Sequence, residues 1–146
     1  MTVYLLDTNV VSEETRARPD PEIEPWLRSI PPHTIFLSVS TLGGLERGII
    51  RLERRSGGPT RRSRDLRNWL SSTLAPRFAG RILPVSVPVA SVWGLLLDLG
   101  EAAGHPAAPV DALLAATALH HRLTLVTRNT ADFQALGVPF LNPWEG

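Results

Sequence analysis

Short apolar runs alternate along the chain with longer segments whose apolar residues recur every three or four positions. Val3-Tyr4-Leu5-Leu6, Thr34-Ile35-Phe36-Leu37, Ile82-Leu83-Pro84-Val85, Leu123-Thr124-Leu125-Val126 and Val138-Pro139-Phe140-Leu141 are such runs. Their length and their Val, Ile and Leu content predict strands buried on both faces of a parallel sheet. Helical patterns separate them. Asp20-Pro21 reads as an N-cap and first turn leading to Trp26-Leu27. Ser40 or Thr41 caps a helix to about Arg55, with Leu42, Leu45, Ile49 and Leu52 on one face. Ser56-Gly57-Gly58-Pro59 is a break, and a second basic helix follows with Leu66, Trp69, Leu70 and Leu74 as its buried stripe. A helix from Pro88 carries Val92, Leu95, Leu96 and Leu99 and stops at Gly104. The Ala- and Leu-rich segment 110–118 predicts a packed helix with Asp111 in its first turn. Strands alternating with helices over 146 residues predict one α/β domain, 1–146, with a central parallel sheet flanked by helices.

Composition narrows the chemistry. Hydrophobic residues make up 43%, enough for a real core. No apolar run approaches the roughly 18 residues of a membrane span, and no signal peptide is visible, so a cytoplasmic protein is expected. The absence of cysteine excludes disulfides, thiolate metal sites and cysteine nucleophiles. The absence of lysine excludes a Walker A loop and Schiff-base chemistry. Net charge is only +1, yet ten arginines fall between Arg47 and Arg81, opposed there only by Glu46, Glu53 and Asp65. That stretch is a local positive patch able to attract a phosphate backbone.

Three carboxylates are placed to act together. Asp7 follows the first strand, at the sheet edge where open α/β sheets place their sites. Asp132 follows the strand 123–126 on the same edge, and Asp111 opens the helix before that strand. Converging carboxylates repel, and hard divalent cations relieve this by accepting oxygen ligands. Such ions can activate water and stabilise the leaving oxygen of a phosphodiester. Each residue also suits a local role. Asp7 can be a helix N-cap, Asp111 can complement a helix dipole, Asp132 can cap a helix beginning at Phe133, and Asn129 can form a turn. His120 and His121, adjacent on a helix, point about 100° apart. The four tryptophans read as core anchors. No nucleophile elbow or dinucleotide fingerprint is present.

Four ordered blocks resemble a PIN domain. They are Leu5-Leu6-Asp7-Thr8-Asn9, Ser38-Val39-Ser40-Thr41-Leu42-Gly43, the segment 111–118, and Leu125-Val126-Thr127-Arg128-Asn129-Thr130-Ala131-Asp132-Phe133. The closing Val138 to Trp144 fits as well. The likeness is to VapC-type toxins of bacterial type II toxin–antitoxin systems, including their FitB-like relatives. It implies a Mg²⁺- or Mn²⁺-dependent endoribonuclease that forms a homodimer and is inhibited by a small VapB-type antitoxin, in some cases within a larger toxin–antitoxin assembly. On this resemblance Asp7 and Asp111 are metal ligands and Asp132 completes the acidic cluster. Thr8, Asn9, Thr127 and Asn129 hold the carboxylates and waters. Arg47, Arg51, Arg54 and Arg55 contact RNA or the antitoxin, although a solvated helix face explains these arginines equally well.

One position departs from the resemblance. These toxins usually read Thr-Leu-Gly-Glu-Leu where this chain reads Thr41-Leu42-Gly43-Gly44-Leu45, so Gly44 stands at an acidic position. Glu46 is no obvious substitute, because two residues along a helix turn it about 200° away. A second glycine there costs about 1 kcal/mol relative to alanine. The expectation is a recognisable acidic site that lacks one carboxylate. The rival expectation is a non-catalytic PIN module that binds RNA or a partner.

Overall fold

The computed structural model describes residues 1–145 and contains one five-stranded sheet in the order β3-β2-β1-β4-β5, every pair parallel. The strands are β1 (Tyr4–Leu6), β2 (Ile35–Ser38), β3 (Ile82–Leu83), β4 (Thr124–Val126) and β5 (Phe140–Leu141). The helices are α1 (Thr8–Val11), α2 (Ile23–Arg28), α3 (Val39–Ser56), α4 (Arg61–Trp69), α5 (Ala75–Arg77), α6 (Val87–Ala102), α7 (Pro109–His121) and α8 (Thr130–Gln134). The α/β expectation holds, with all five strands at the expected runs.

Period-two alternation in the strands divides the core into two layers. Leu5 and Leu125 point to one face, where they meet Val89, Ala112, Ala115 and Phe133 from α6, α7 and α8. Leu6 and Val126 point to the other, where they meet Val10, Leu37, Ile49 and Leu74. Each fully buried leucine contributes about 1.5–3 kcal/mol relative to exposure. The central strands are covered on both sides, which is why they read as unbroken apolar runs.

Several boundaries differ from the sequence expectation. Helix α3 starts earlier, because Ser38 rather than Ser40 or Thr41 is its N-cap; the Ser38 hydroxyl accepts the Ser40 N–H at 3.1 Å. Gly57, in the left-handed conformation at φ 78°, closes that helix. Asp20 does not cap α2. Its carboxylate accepts the Glu22 N–H at 2.9 Å and turns the chain just before the helix. The basic second helix is interrupted by a wide π-turn over Leu70–Leu74. Ser86 caps α6, so that helix opens at Val87 with Pro88 in its first turn. Helix α8 begins at Thr130, which places Asp132 inside its first turn and not at its cap. The four tryptophans are half-buried and pack against the edges of the two core layers.

Helix α6 is rich in apolar residues, and its leucines do not all turn inward. Leu96 is buried, whereas Val87, Leu95 and Leu99 are 81%, 56% and 53% exposed along one face. The loop from α6 to α7 is clamped to α6 by its backbone: the His105 N–H donates to the Gly100 carbonyl at 2.9 Å. A Cβ at position 100 would lie 2.9 Å from the His105 carbonyl oxygen and 3.2 Å from the Ala107 nitrogen. Gly100→Ala should therefore overpack that backbone and lower stability by about 1–3 kcal/mol in urea denaturation. Gly94→Ala on the same helix has open space around its Cβ and should not destabilise.

Candidate active site

The sheet order reverses at β1. From there the chain moves outward to β2 and β3, then crosses to β4 on the other side. The crevice between the carboxyl ends of β1 and β4 is thus the topological switch point. The register pairs Leu6 with Val126, so the next residues, Asp7 and Thr127, emerge side by side. The Asp7 N–H still donates to the Val126 carbonyl at 2.9 Å.

Asp7 is held by three groups. Its Oδ1 accepts the Thr8 N–H at 2.7 Å, which makes it the N-cap of α1. Its Oδ2 accepts the hydroxyl of the fully buried Thr127 at 2.7 Å and the Asn9 side-chain amide at 3.4 Å. The capping role and the site role therefore fall on the same carboxylate. The Thr127 hydroxyl in turn accepts the Asn129 N–H at 3.0 Å, and Asn9 Oδ1 accepts the Arg128 N–H at 3.3 Å. Asp7, Thr8, Asn9, Thr127 and Asn129 thus form one hydrogen-bonded unit across residues far apart in sequence. Its outer anchor was not legible in the sequence: the Arg128 guanidinium lies over the Trp144 ring, 5.2 Å from its centroid. No spacing rule links a turn arginine to a tryptophan near the chain's end.

Electrostatics tie in the other carboxylates. Burial pushes the Asp7 carboxyl up, while the Thr127 and Thr8 hydrogen bonds pull it down. The Asp111 carboxyl, in the first turn of α7, is pushed up by burial first and then by the negative charges of Asp7 and Asp132. Asp132 is exposed at the rim. Its charge reaches Asp111, but among the described residues no group of three or more His, Cys, Asp or Glu side chains is placed to hold a metal ion. The full three-carboxylate cluster is therefore not assembled.

Position 44 lies beside this edge. A Cβ built there would sit 3.7 Å from Thr8 Oγ1, an ordinary contact next to Asp7. A side chain at 44 would enter the site without strain. Glu46 cannot take its place, since it accepts the Arg67 guanidinium at 2.8 Å. Asp7 and Asp111 together would suit a hard cation that keeps most of its waters, because Mg²⁺ commonly uses only one or two carboxylates.

The predicted basic residues lie along α3. Arg47, Arg54 and Arg55 are exposed on α3, and Arg51 is half-buried. The adjacent His120 and His121 rings meet edge to face with centroids 4.7 Å apart, closer than their angular separation on the helix suggests.

The PIN domain family profile matches residues 4–138. This chain belongs to the PIN domain family. It is 36% identical over 142 residues to toxin FitB of Neisseria gonorrhoeae, covering 97% of this chain and 99% of that protein. It is 32% identical over 144 residues to VapC ribonuclease Y4jK of Sinorhizobium fredii, covering 98% and 99%. The crystal structure of FitAcB from Neisseria gonorrhoeae superposes with a TM-score of 0.89 at 35% identity, covering 99% of this PIN domain and 100% of that chain.

The raised carboxyl of Asp111 has a measurable consequence. A group that titrates above its ordinary 3.8 in the folded state binds protons more readily there than in the unfolded chain. Stability therefore rises as pH falls through the folded-state value and levels off below 3.8. Asp111→Asn should melt at a higher temperature than the parent at pH 7. That advantage should shrink as pH approaches 3.8, as followed by thermal midpoints across the pH range.

Proposed function

We propose that this PIN domain is the toxin of a toxin–antitoxin pair and an endoribonuclease that hydrolyses RNA phosphodiester bonds, weakened by Gly44. The observation that carries this reading is the placement of Asp7. Thr127 and Thr8 fix it at the switch point, and its charge acts on Asp111. The kinship with a VapC ribonuclease and with toxin FitB supports the reaction and the biological role.

Asp7 and Asp111 are the residues that would hold Mg²⁺ or Mn²⁺, which supplies charge stabilisation and an activated water when bound. The protein's own contribution is orientation. Thr8, Asn9 and Thr127 donate to Asp7 and fix the directions of its lone pairs, and Asn129 locks the Thr127 hydroxyl. Second-sphere donors of this kind set ligand geometry. Arg47, Arg51, Arg54 and Arg55 supply a positive field on α3 for RNA phosphates or an antitoxin.

Two surfaces support the partners this reading requires. An apolar groove of about 550 Å³, lined by Val10, Val11, Ile23, Leu27, Leu74 and Phe78, suits the apolar face of a VapB-type antitoxin helix. The exposed apolar residues Val87, Leu95 and Leu99 on α6 suit a second copy of the chain, since exposed apolar side chains grouped on a helix commonly mark an interaction surface. On this reading Leu95→Glu converts a dimer to a monomer in sedimentation equilibrium; unchanged mass would remove α6 from the interface.

A specific observation favours a second reading, a non-catalytic PIN module that only binds. It is the lack, among the described residues, of a group of three side chains placed to hold a metal ion, together with Gly44. Gly44→Glu separates the two readings. Restoring the carboxylate should raise Mn²⁺ affinity and Mg²⁺-dependent RNA cleavage by about a hundredfold or more, and Asp7→Asn in that background should abolish the gain. A Gly44→Glu protein that neither binds Mn²⁺ nor cleaves RNA would establish the binding module.

A further inference from the structure

Beside position 44 lies a second cavity, about 250 Å³, whose lining includes Thr8, Gly44, Gly48, Ile49, Arg62 and Trp69. It is bounded by α1, α3 and α4 and shares Thr8 with the site, immediately next to Asp7. The carboxylate unit uses none of its aromatic or cationic wall. Both of those groups are held in place. The Trp69 indole N–H donates to Glu14 Oε1 at 2.9 Å, and the Arg62 guanidinium donates to the Thr15 carbonyl. An aromatic ring and a planar cation are the two surfaces on which proteins stack unpaired bases.

Size and charge select the occupant. A cavity of this volume is too small for a helix about 10 Å across but accommodates one planar ring. Arg62 in its wall supplies a cation, and Arg61 and Arg64, exposed on other faces of the same helix, add to the positive charge of this segment. The helix also keeps the space open at a position where no backbone constraint asks for glycine. A Cβ at Gly48 would meet nothing within 4 Å, although glycine is among the least favourable residues in a helix interior.

We propose that this recess receives one unstacked base of single-stranded RNA, next to the phosphate presented to Asp7. The proposal rests on the ribonuclease reading and names the part of its substrate that the site grips.

Fluorescence anisotropy with a labelled single-stranded oligoribonucleotide in EDTA tests binding without cleavage. Gly48→Leu fills the recess and improves the helix. It should raise the thermal midpoint yet weaken RNA binding by about tenfold, the scale of one lost base stack. An abasic nucleotide at one position should weaken binding to the parent chain and have no further effect on the variant. Gly48→Ala, a smaller filling, should show a smaller loss; with Trp69→Leu it carries the comparison if Gly48→Leu does not fold by circular dichroism. Full RNA affinity in the filled variants, or an abasic penalty that persists in them, overturns the proposal and leaves the ribonuclease reading standing. If neither the parent chain nor Gly44→Glu binds RNA, both fall together.

Discussion

The site depends on one pairing, that of β1 with β4. Nearly the whole chain separates these strands in sequence, and their parallel register sets Asp7 beside Thr127 so that a buried hydroxyl can donate to a carboxylate at 2.7 Å. A slip of one residue would send Leu5 and Leu6 to the wrong faces and exchange their partners in the two core layers. It would also move Asp7 away from Thr127. The hydrophobic sorting that stabilises the sheet therefore also specifies the site. A core substitution that weakens the β1–β4 register is expected to damage the carboxylate unit before it unfolds the domain.

The same edge concentrates electrostatic cost. Asp7 is buried enough to raise its carboxyl, and Asp111 feels both Asp7 and Asp132. The fold offsets part of this with the α1 backbone N–H and the Thr127 hydroxyl, which favour the charged form of Asp7. For Asp111, burial and the charges of Asp7 and Asp132 disfavour its charged form, and only its place in the first turn of α7 favours it. Carboxylates held under such strain are common where a cation or a proton is meant to arrive.

What was legible in the sequence was local. The apolar runs marked the strands because both sheet faces are covered, and the Asp following a strand marked the active edge because strand ends are the exits from a parallel sheet. Asp7, Thr8, Asn9, Thr127 and Asn129 meet as the motif blocks suggested. Helix starts were less legible: several hydroxyl residues lie near the α3 boundary, and only the backbone selects Ser38. Period alone could not separate Leu96 from Leu95 and Leu99, since apolar residues recur around most of α6 and which side the core covers is a tertiary fact. Asp132 shows the same limit. Being close in sequence to Thr127 brings its charge near Asp111, yet α8 begins at Thr130 and leaves Asp132 exposed at the rim.

Gly44 breaks a local rule without a structural reason. Its φ is not in the left-handed region, its Cβ would have ordinary room beside Thr8, and it lies inside an eighteen-residue helix where glycine costs about 1 kcal/mol relative to alanine. Positions 44 and 48 share a helix face four residues apart, and both open onto the same recess. Glycine at 48 keeps that space open with no neighbour to accommodate, whereas a side chain at 44 would also meet Thr8 next to Asp7. No carboxylate on α3 can compensate, because Glu46 and Glu53 are both bound by the Arg67 guanidinium. Position 44 therefore has room for a side chain beside a site whose Asp7-centred hydrogen bonds are in place.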